Sequence, residues 1–478
     1  MDNTHTHLKK RPSAILSLMP IVLLVVMLTC TIRAFGSDSL AGASQITLIT
    51  VSAFCVLIGM ARLNVPWSSF EKAITKNVAS VSSALIILLL IGALSGVWMT
   101  SGVVPTLIYY GMHIIHPDIF LFSTCAICAF VSLMTGSSWT TIATIGIALM
   151  GIGRAQGFGE GWVAGAIISG AYFGDKISPL SETTTLASAS LGVPLFKHIR
   201  YMLLTTVPSI SLTLVIFLVA GFAYDNATTN QAQTFMEALS SRFVISPWLL
   251  LVPVLTGVMI ARKVPPIIVL FLSTLLAVAF GLVFQPEALS EIDASPFKAA
   301  MKCVYGETTL HTSNALLADL VATRGMAGMM NTIWLIICAM CFGGTMTAAG
   351  MVGGISRLFI HMVHGRTSLV GSTAATGVML NVAIADQYLC ILLTGNMFRD
   401  VYDREGYERR LLSRTTEDAV TVTSVLVPWN TCGMTQSTVL GVATVSYLPF
   451  CFFNLISPMM SILVAALGYR ISRTDKKS

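Results

Sequence analysis

Charge is scarce in this chain: Asp, Glu, Lys and Arg together make up 10% of 478 residues, against about a quarter in soluble domains. That excludes an ordinary soluble protein, and no long polar stretch is left over for a large soluble domain. Segments of about ten residues with alternating hydrophobicity are also missing, which argues against a membrane β-barrel. There is no HExxH, and no GxSxG next to a usable His, so an intramembrane enzyme lacks its metal or nucleophile-base arrangement. Neither enzymatic activity nor a cofactor is expected. The ten cysteines are scattered through apolar runs, where a thiol packs as a small hydrophobe and has no disulfide framework to join. Two CxxC spacings, Cys125/Cys128 and Cys338/Cys341, lack a nearby His or a second pair and read as packing rather than metal sites. The formal net charge is +6 but forms no basic face: Lys and Arg sit in short loops and tails. The positive-inside rule accounts for this pattern, and no nucleic-acid partner is implied.

Apolar sequence is what the chain has in abundance. Hydrophobic residues make up 55% and mean hydropathy is +0.79. Runs of about 18 residues or more, each able to cross the bilayer as a helix, recur from end to end. In lipid every backbone N–H and C=O must be paired within its own segment, so the expected fold is all-α and polytopic, with about twelve to thirteen transmembrane helices and membrane lipid as solvent. Candidate spans fall near 14–33, 42–62, 77–104, 117–135, 138–153, 161–177, 199–224, 245–261, 264–285, 329–350, 368–398, 417–438 and 445–469. Residues 1–13, with Lys9, Lys10 and Arg11, form a tail, and the run from Ala14 to Cys30 reads as a retained first helix rather than a signal peptide. Basic loops at Arg62, Lys72 and Lys76, at Arg262 and Lys263, from Arg399 to Arg414, and in the 470–478 tail put both termini in the cytoplasm of a bacterial inner membrane. The segment from Pro286 to Arg324 is richer in acids and reads as an external loop.

A duplication is legible as well. Gly96, Gly102, Val104, His113 and His116 match Gly344, Gly350, Val352, His361 and His364 at an offset of 248 (344 minus 96). Further on, Thr135-Gly136 matches Thr376-Gly377 at 241, and "LSETT" from Leu180 matches "LSRTT" from Leu412 at 232. The flanking charges run the two copies in opposite directions, so two inverted-topology repeats are expected, 14–228 and 245–469, with discontinuous helices as in secondary transporters. The histidine pairs lie at span ends beside Pro117 and Arg366, where interfacial histidine is ordinary; a pH-sensing role is the sharper alternative.

The densest polar cluster within apolar sequence is "SGAYFGDKISPLSETTTLASAS", Ser169 to Ser190. Gly170, Gly174 and Pro179 interrupt helix regularity there while Asp175, Ser178, Ser181, Glu182, Thr183 and Thr184 supply hard oxygen ligands. At membrane depth such a segment is tolerated only around a cavity or water path, so an ion site is the leading reading; a cytoplasmic loop anchored by Lys176 is the alternative. The second half repeats the pattern. Glu417 and Asp418 lead into Thr421, Thr423, Ser424, Pro428, Asn430, Thr431 and Thr435, which a Ser/Thr-rich packing face would also explain. Asp386 and Gln387 make a third polar point, or simply a helix end. Gly136, Ser137, Ser138, Thr140, Thr141 and Thr144 suit helix packing as well as coordination.

The words "GAYFGDKISPLSETTTLA", "TGSSWTTIATIGIALMGIG", "ADQYL" and "LLSRTTEDAVTVTSVLVPWNTCG" resemble the NhaC-type Na+/H+ antiporters, a likeness covering roughly residues 15 to 465. The resemblance implies a multi-spanning antiporter with discontinuous helices crossing near mid-membrane, with Na+ and H+ as transported ions. Some family members are linked to exchange of a small organic acid such as malate for lactate. Matching positions are Asp175, Ser178, Ser181, Glu182, Thr183, Thr184, Asp386, Glu417, Asp418 and Asn430. Two departures bear on ion choice: Glu182-Thr183-Thr184-Thr185 stands where the family commonly has Asp-Thr-Thr-Asn, and Val425-Leu426 where it has a second Pro. The mechanism expected is competition between Na+ and protons for carboxylates in a partly desolvated cavity. Asp175 and Glu182 are the expected exchanging pair, with Asn430 a third Na+ candidate and Ser178, Ser181 and Thr184 as neutral ligands. Lys176 or Arg414 could neutralise a carboxylate or, were the cargo an organic anion or amino acid, bind it.

Overall fold

The computed structural model describes residues 12–35, 42–224, 229–312, 314–471 and 473. The expected basic tail at Lys9 to Arg11 and most of the tail beyond Arg470 lie outside the described residues. The chain opens with α1 (Ala14–Phe35), α2 (Ala43–Leu63), α3 (Trp67–Ser80) and α4 (Ser82–Thr100), then α5 (Val103–Ile114) and α6 (Phe120–Thr135). α7 (Ser138–Thr141) runs through a π-helical turn, Ile142–Gly146, into α8 (Ile147–Ala155), followed by α9 (Glu160–Ile177), α10 (Glu182–Ser190) and α11 (Leu195–Ala223). In the middle lie α12 (Thr229–Arg242), α13 (Leu251–Ala261), α14 (Pro266–Phe284), α15 (Pro286–Ile292), α16 (Pro296–Tyr305) and α17 (Ala315–Val321). The remainder is α18 (Met330–Ala348), α19 (Met351–Ile360), α20 (Arg366–Ile384), α21 (Gln387–Arg404), α22 (Arg409–Thr416), α23 (Thr431–Leu440), α24 (Thr444–Tyr447) and α25 (Phe452–Leu467). Among the described residues the only extended pairing is two isolated bridges, Thr308 with Thr323 and Tyr407 with Arg473.

Eight of the described helices are long and apolar enough to cross a membrane, and two pairs bent by 93° and 55° bring the figure to ten. This is fewer than the twelve to thirteen spans expected from hydropathy. The shortfall has a physical origin: the apolar stretches 138–153 and 417–438 are each split by breaks, and α9 carries Glu160, Asp175 and Lys176. Outward-facing Leu57, Val219, Phe222, Val254 and Val283 give the bundle an apolar exterior suited to lipid. The segment read as an external loop folds back on the bundle. The Cys303 carbonyl lies against Gly96 and the Gly325 carbonyl against Gly92, where any side chain on α4 would collide.

Element boundaries carry the duplication more firmly than residue identities do. α4 and α18 start at 82 and 330 and stop at 100 and 348, an offset of 248 (330 minus 82) at both ends. Each is followed by a left-handed glycine, Gly102 with φ 83° and Gly350 with φ 67°, before α5 and α19. From there the offset is 249. Gly136 and Ala385 both adopt left-handed φ, 68° and 63°, ahead of α7 and α21 (385 minus 136). Ser181 and Asn430 precede α10 and α23, and Gly192 and Gly441 follow them. The offsets of 241 and 232 suggested by "TG" and "LS-TT" are therefore not the structural register. Gly, Leu, Ser and Thr recur too often for short words to fix an alignment, whereas a left-handed residue followed by a cap marks a specific backbone turn.

α6 and α9 pack backbone to backbone. A Cβ at Gly170 or Gly174 would fall on the backbone of Cys125 and Ala129, so glycine lets the two axes approach closely, as small residues do between membrane helices. That approach fixes where the end of α9, and hence Asp175, can sit.

Candidate functional site

Four interruptions in helical winding meet inside the protein: before Ser138, between α9 and α10, before Gln387, and between the π-helical turn Glu417–Thr421 and α23. Each ends one helix with unpaired carbonyls and starts another with unpaired N–H groups. The new starts are capped from the chain itself. Ser137 Oγ accepts from Thr140 N at 3.2 Å, Ser181 Oγ from Thr184 N at 3.4 Å, Asp386 Oδ1 from Leu389 N at 2.8 Å and Asn430 Oδ1 from Cys432 N at 3.1 Å. Each cap satisfies one of the first N–H groups of its helix, and the carbonyl ends and spare side-chain oxygens lie close by.

Asp175 occupies the last turn of α9 and is buried. Ser138 Oγ donates to its Oδ2 at 2.8 Å, a link between the first and second interruptions. Ser181 faces the same carboxylate and shares a 3.0 Å hydrogen bond with the Thr183 hydroxyl. Thr184 Oγ1 donates to the Lys176 carbonyl at 2.9 Å, and the Leu180 N–H donates to Ser178 Oγ at 3.3 Å, so these two hydroxyls hold the turn. Glu182 is placed differently from its expected partner. It is exposed, its Oε2 accepting from Tyr388 Oη at 3.0 Å, and it stands at the mouth of the site while Asp175 lies inside.

The second pair of interruptions is knitted together by amide side chains. Asn430 Nδ2 donates to the Asn381 carbonyl at 3.2 Å, and Thr431 N donates to the Ala385 carbonyl at 2.9 Å. Asn381 Nδ2 donates to the Val420 carbonyl at 2.8 Å and to Thr423 Oγ1 at 3.1 Å. Cys432 Sγ reaches Gln387 Oε1 at 2.8 Å, and the same thiol faces Tyr172 and Trp139 of the first half. Asp386 is buried beside this junction.

Behind Asp175 lies a wholly buried charge cluster. Lys176 Nζ pairs with Asp418 Oδ1 and donates to Ser457 Oγ at 3.0 Å. Thr205 Oγ1 donates to Asp418 Oδ1 at 3.0 Å, while Arg414 Nε stands 3.8 Å from Asp418 Oδ2 and its guanidinium lies over Tyr201, 4.6 Å from the ring centre. Glu417 is also fully buried, with the Thr421 hydroxyl facing its carboxyl group.

The sequence-derived candidates thus divide into three groups. Asp175, Ser178, Ser181, Glu182, Thr183 and Thr184 come together with Ser138; Asp386 and Asn430 gather with Asn381 and Gln387; Asp418 is held by Lys176, with Glu417 alongside. Asn381, Tyr388, Thr205 and Ser457 escaped the sequence reading. Asn381 had a usable signal, an amide within the apolar run "GVMLNVAIA", whereas the others gain their importance only from packing. The expectation that Lys176 or Arg414 could hold an anionic cargo meets the finding that both cations already face Asp418.

Comparison with known proteins bears on the same segments. Residues 170–469 match the Na+/H+ antiporter family. The chain is 38% identical over 411 residues to the Na+/H+ antiporter NhaC of Alkalihalophilus pseudofirmus, covering 86% of this chain and 87% of that one. It is 34% identical to the Na+/H+ antiporter NhaC of Bacillus subtilis, over 88% of this chain and 90% of that one. It is also 35% identical to the malate-2H+/Na+-lactate antiporter of Bacillus subtilis, over 89% of each. The matched stretch contains α10, the interrupted segment around Asn430 and every acidic residue of the three groups, and on this likeness the chain belongs to the Na+/H+ antiporter family.

Proposed function

We propose that this protein is a secondary transporter, not an enzyme, that exchanges Na+ for H+ across the bacterial inner membrane by alternating access, with both termini cytoplasmic. The halves 14–228 and 245–469, of inverted topology, would supply the two alternately open states around the shared interruptions. The observation carrying this reading is the buried charge balance. Among the described residues the buried ionisable acids and bases of fixed sign are Asp175, Asp386, Glu417 and Asp418 against Lys176 and Arg414. Four acids less two bases leaves two negative charges uncompensated when all are ionised. Isolated charge at membrane depth is costly, so these carboxylates require a bound cation or a proton. Na+ and H+ then exclude one another by competing for the same oxygens.

Asp175 is the principal exchanging group, with Ser138 and Ser181 as neutral oxygen partners. Glu182 and Tyr388 act at the mouth, recruiting the ion rather than holding it. Asp386 and Asn430 line the second pair of interruptions, and Asp418 serves as counter-ion to Lys176 rather than as an ion ligand. Malate-for-lactate exchange, after the name of one relative, is the second reading; what favours it is that none of the three Arg414 guanidinium nitrogens has a hydrogen-bond partner.

The test is flux in proteoliposomes containing a pH dye, challenged in turn with Na+, Li+, K+, malate, lactate and amino acids. Na+ should drive proton movement in the unmodified protein. Asp175→Asn should abolish it, while Glu182→Gln should raise the Na+ concentration needed and leave turnover largely intact. Full Na+-driven flux in a well-folded Asp175→Asn protein would sink the assignment, and proton flux driven by malate alone would favour the second reading.

A further inference from the structure

Separate from the ion site, a cavity of about 1120 Å³ opens where α11 and α22 begin and α21 ends, and none of its lining residues belongs to the three groups above. Its walls hold five cations, Lys197, Arg200, Arg409, Arg410 and Arg470, against two acids, Asp403 and Glu408. Both acids are already engaged. Arg409 grips Asp403 through Nε at 3.1 Å and Nη2 at 2.7 Å, and Arg410 Nη2 donates to Glu408 at 3.1 Å. Among the described residues no ion pair includes Lys197, Arg200 or Arg470, so three positive charges face the cavity uncompensated.

Backbone adds to this field. α11 is 29 residues long, starts after Pro194 with no side-chain cap, and Gly192, Val193 and Pro194 line the cavity. Its first N–H groups and the positive end of its dipole are therefore turned toward the same space. Phe196, 73% exposed beside Lys197, adds an apolar side chain next to the rim. Tyr201 and Leu204 give the cavity an apolar wall, and the Tyr201 ring lies between Arg410, at 4.9 Å, and the buried Arg414, at 4.6 Å. The positive-inside rule explains an excess of basic residues at this end of the bundle. It does not explain a concavity whose own acids are spent on two of its five cations.

We propose that this cavity binds an anion bearing phosphate or carboxylate groups, either the headgroup of an anionic phospholipid or a small free anion, independently of which ions the protein exchanges. The three unpaired cations and the uncapped start of α11 bind the charged group, and Tyr201 and Leu204 accept its apolar portion.

The experiment compares the full-length protein with a Lys197→Gln/Arg200→Gln variant, using two probes: phosphatidylglycerol against phosphatidylcholine, scored as lipid retained in native mass spectrometry, and inorganic phosphate, scored by thermal stabilisation in detergent. Each basic group near an anionic headgroup changes affinity about five-fold, so the double variant should bind roughly 25-fold more weakly. Loss confined to phosphatidylglycerol identifies a lipid site, and loss confined to phosphate identifies a soluble-anion site. Leu204→Trp, which fills the cavity without altering charge, should weaken the same probe. An Arg262→Gln/Lys263→Gln variant, which removes two exposed charges outside the cavity, should bind as the unmodified protein does. Equal binding of both probes by Lys197→Gln/Arg200→Gln and the unmodified protein, or an equal loss in the Arg262→Gln/Lys263→Gln control, overturns the proposal.

Discussion

Removing either partner of the buried Lys176–Asp418 pair should destabilise the protein, and the two losses should differ in size. Breaking a buried ion pair by deleting one member costs about 3–5 kcal/mol, because the survivor is left charged in a low-dielectric interior. The structure orders the two cases. In Lys176→Met the orphaned Asp418 keeps the Thr205 hydroxyl at 3.0 Å and Arg414 at 3.8 Å, so the loss should lie near the lower end. In Asp418→Asn both Lys176 and Arg414 lose their counter-ion, and Ser457 can only accept from Lys176, so the loss should reach the upper end or beyond. The double variant leaves Arg414 alone and should cost no more than Asp418→Asn, about 3 kcal/mol less than the sum of the singles. The assay is unfolding in mixed micelles followed by tryptophan fluorescence, for all four proteins in one detergent. A Lys176→Met protein within about 1 kcal/mol of the parent, or strictly additive losses, would refute the view that these charges stabilise one another.

Four further outcomes follow from the geometry. Asn430→Ala removes both the cap on Cys432 N and the bond to the Asn381 carbonyl, and should cost about 2–4 kcal/mol in the same unfolding assay, while Asn430→Asp keeps the cap but sets a buried carboxylate oxygen against the Asn381 carbonyl and should cost at least as much. Gly174→Ala forces α6 and α9 apart against the Ala129 and Leu133 backbone and should cost about 1–3 kcal/mol as well as impair Na+ flux. Gly371→Ala, with nothing within 4 Å of its would-be Cβ, should be neutral or stabilising. Outside the membrane, Lys302 donates to Asp293 at 2.8 Å and holds that carboxyl below the usual carboxylate range; a group so depressed contributes above its unfolded pKa of about 3.9 and ceases to contribute as pH falls through its lower folded value. Protease cleavage between α15 and α16 should therefore stay slow at neutral pH and rise only in strong acid, whereas Asp293→Asn should raise it at neutral pH.

The polar words between Ser169 and Ser190 and around Asn430 were legible because charge, hydroxyl and Gly/Pro inside apolar sequence have few tolerable places in a bilayer. They pointed to the interruptions and offered Asp175 and Glu182 together. They could not separate Asp175 from Glu182, seven residues on, since the turn Ser178–Ser181 sends one carboxylate inward and the other to the mouth. Ser138 was ambiguous for a related reason: on a helix of small residues a hydroxyl that packs and one that donates to a carboxylate look alike. The pairing of Lys176 with Asp418 spans 242 positions and has no local trace. Nor did short matching words give the register of the duplication, which emerged from left-handed residues and caps.

With the structural register in hand, a regularity appears in how the halves diverged. At an offset of 249, Ser137 corresponds to Asp386, Ser169 to Asp418, Asp175 to Ser424 and Glu182 to Thr431. In each pair one half carries the acid and the other a hydroxyl. Acids at both members of every pair would double the carboxylates gathered at these positions, whereas the bases Lys176 and Arg414 correspond to Val425 and Gly165 and would not rise with them. Like charges in a dehydrated interior repel strongly, so one acid of such a set would stay protonated and hold no cation. Replacing alternate acids with Ser or Thr keeps an oxygen at the position while removing the charge. That leaves Asp175 with a neutral donor in Ser138, the neighbour of the very residue matched to Asp386. If this division sets how many cations bind, Ser424→Asp should not add a Na+ site; it should instead weaken Na+ dependence of flux by introducing a carboxylate that competes with Asp175 for protons. An extra Na+ bound per protein in equilibrium measurements on Ser424→Asp would show that charge crowding is not what keeps the halves unequal.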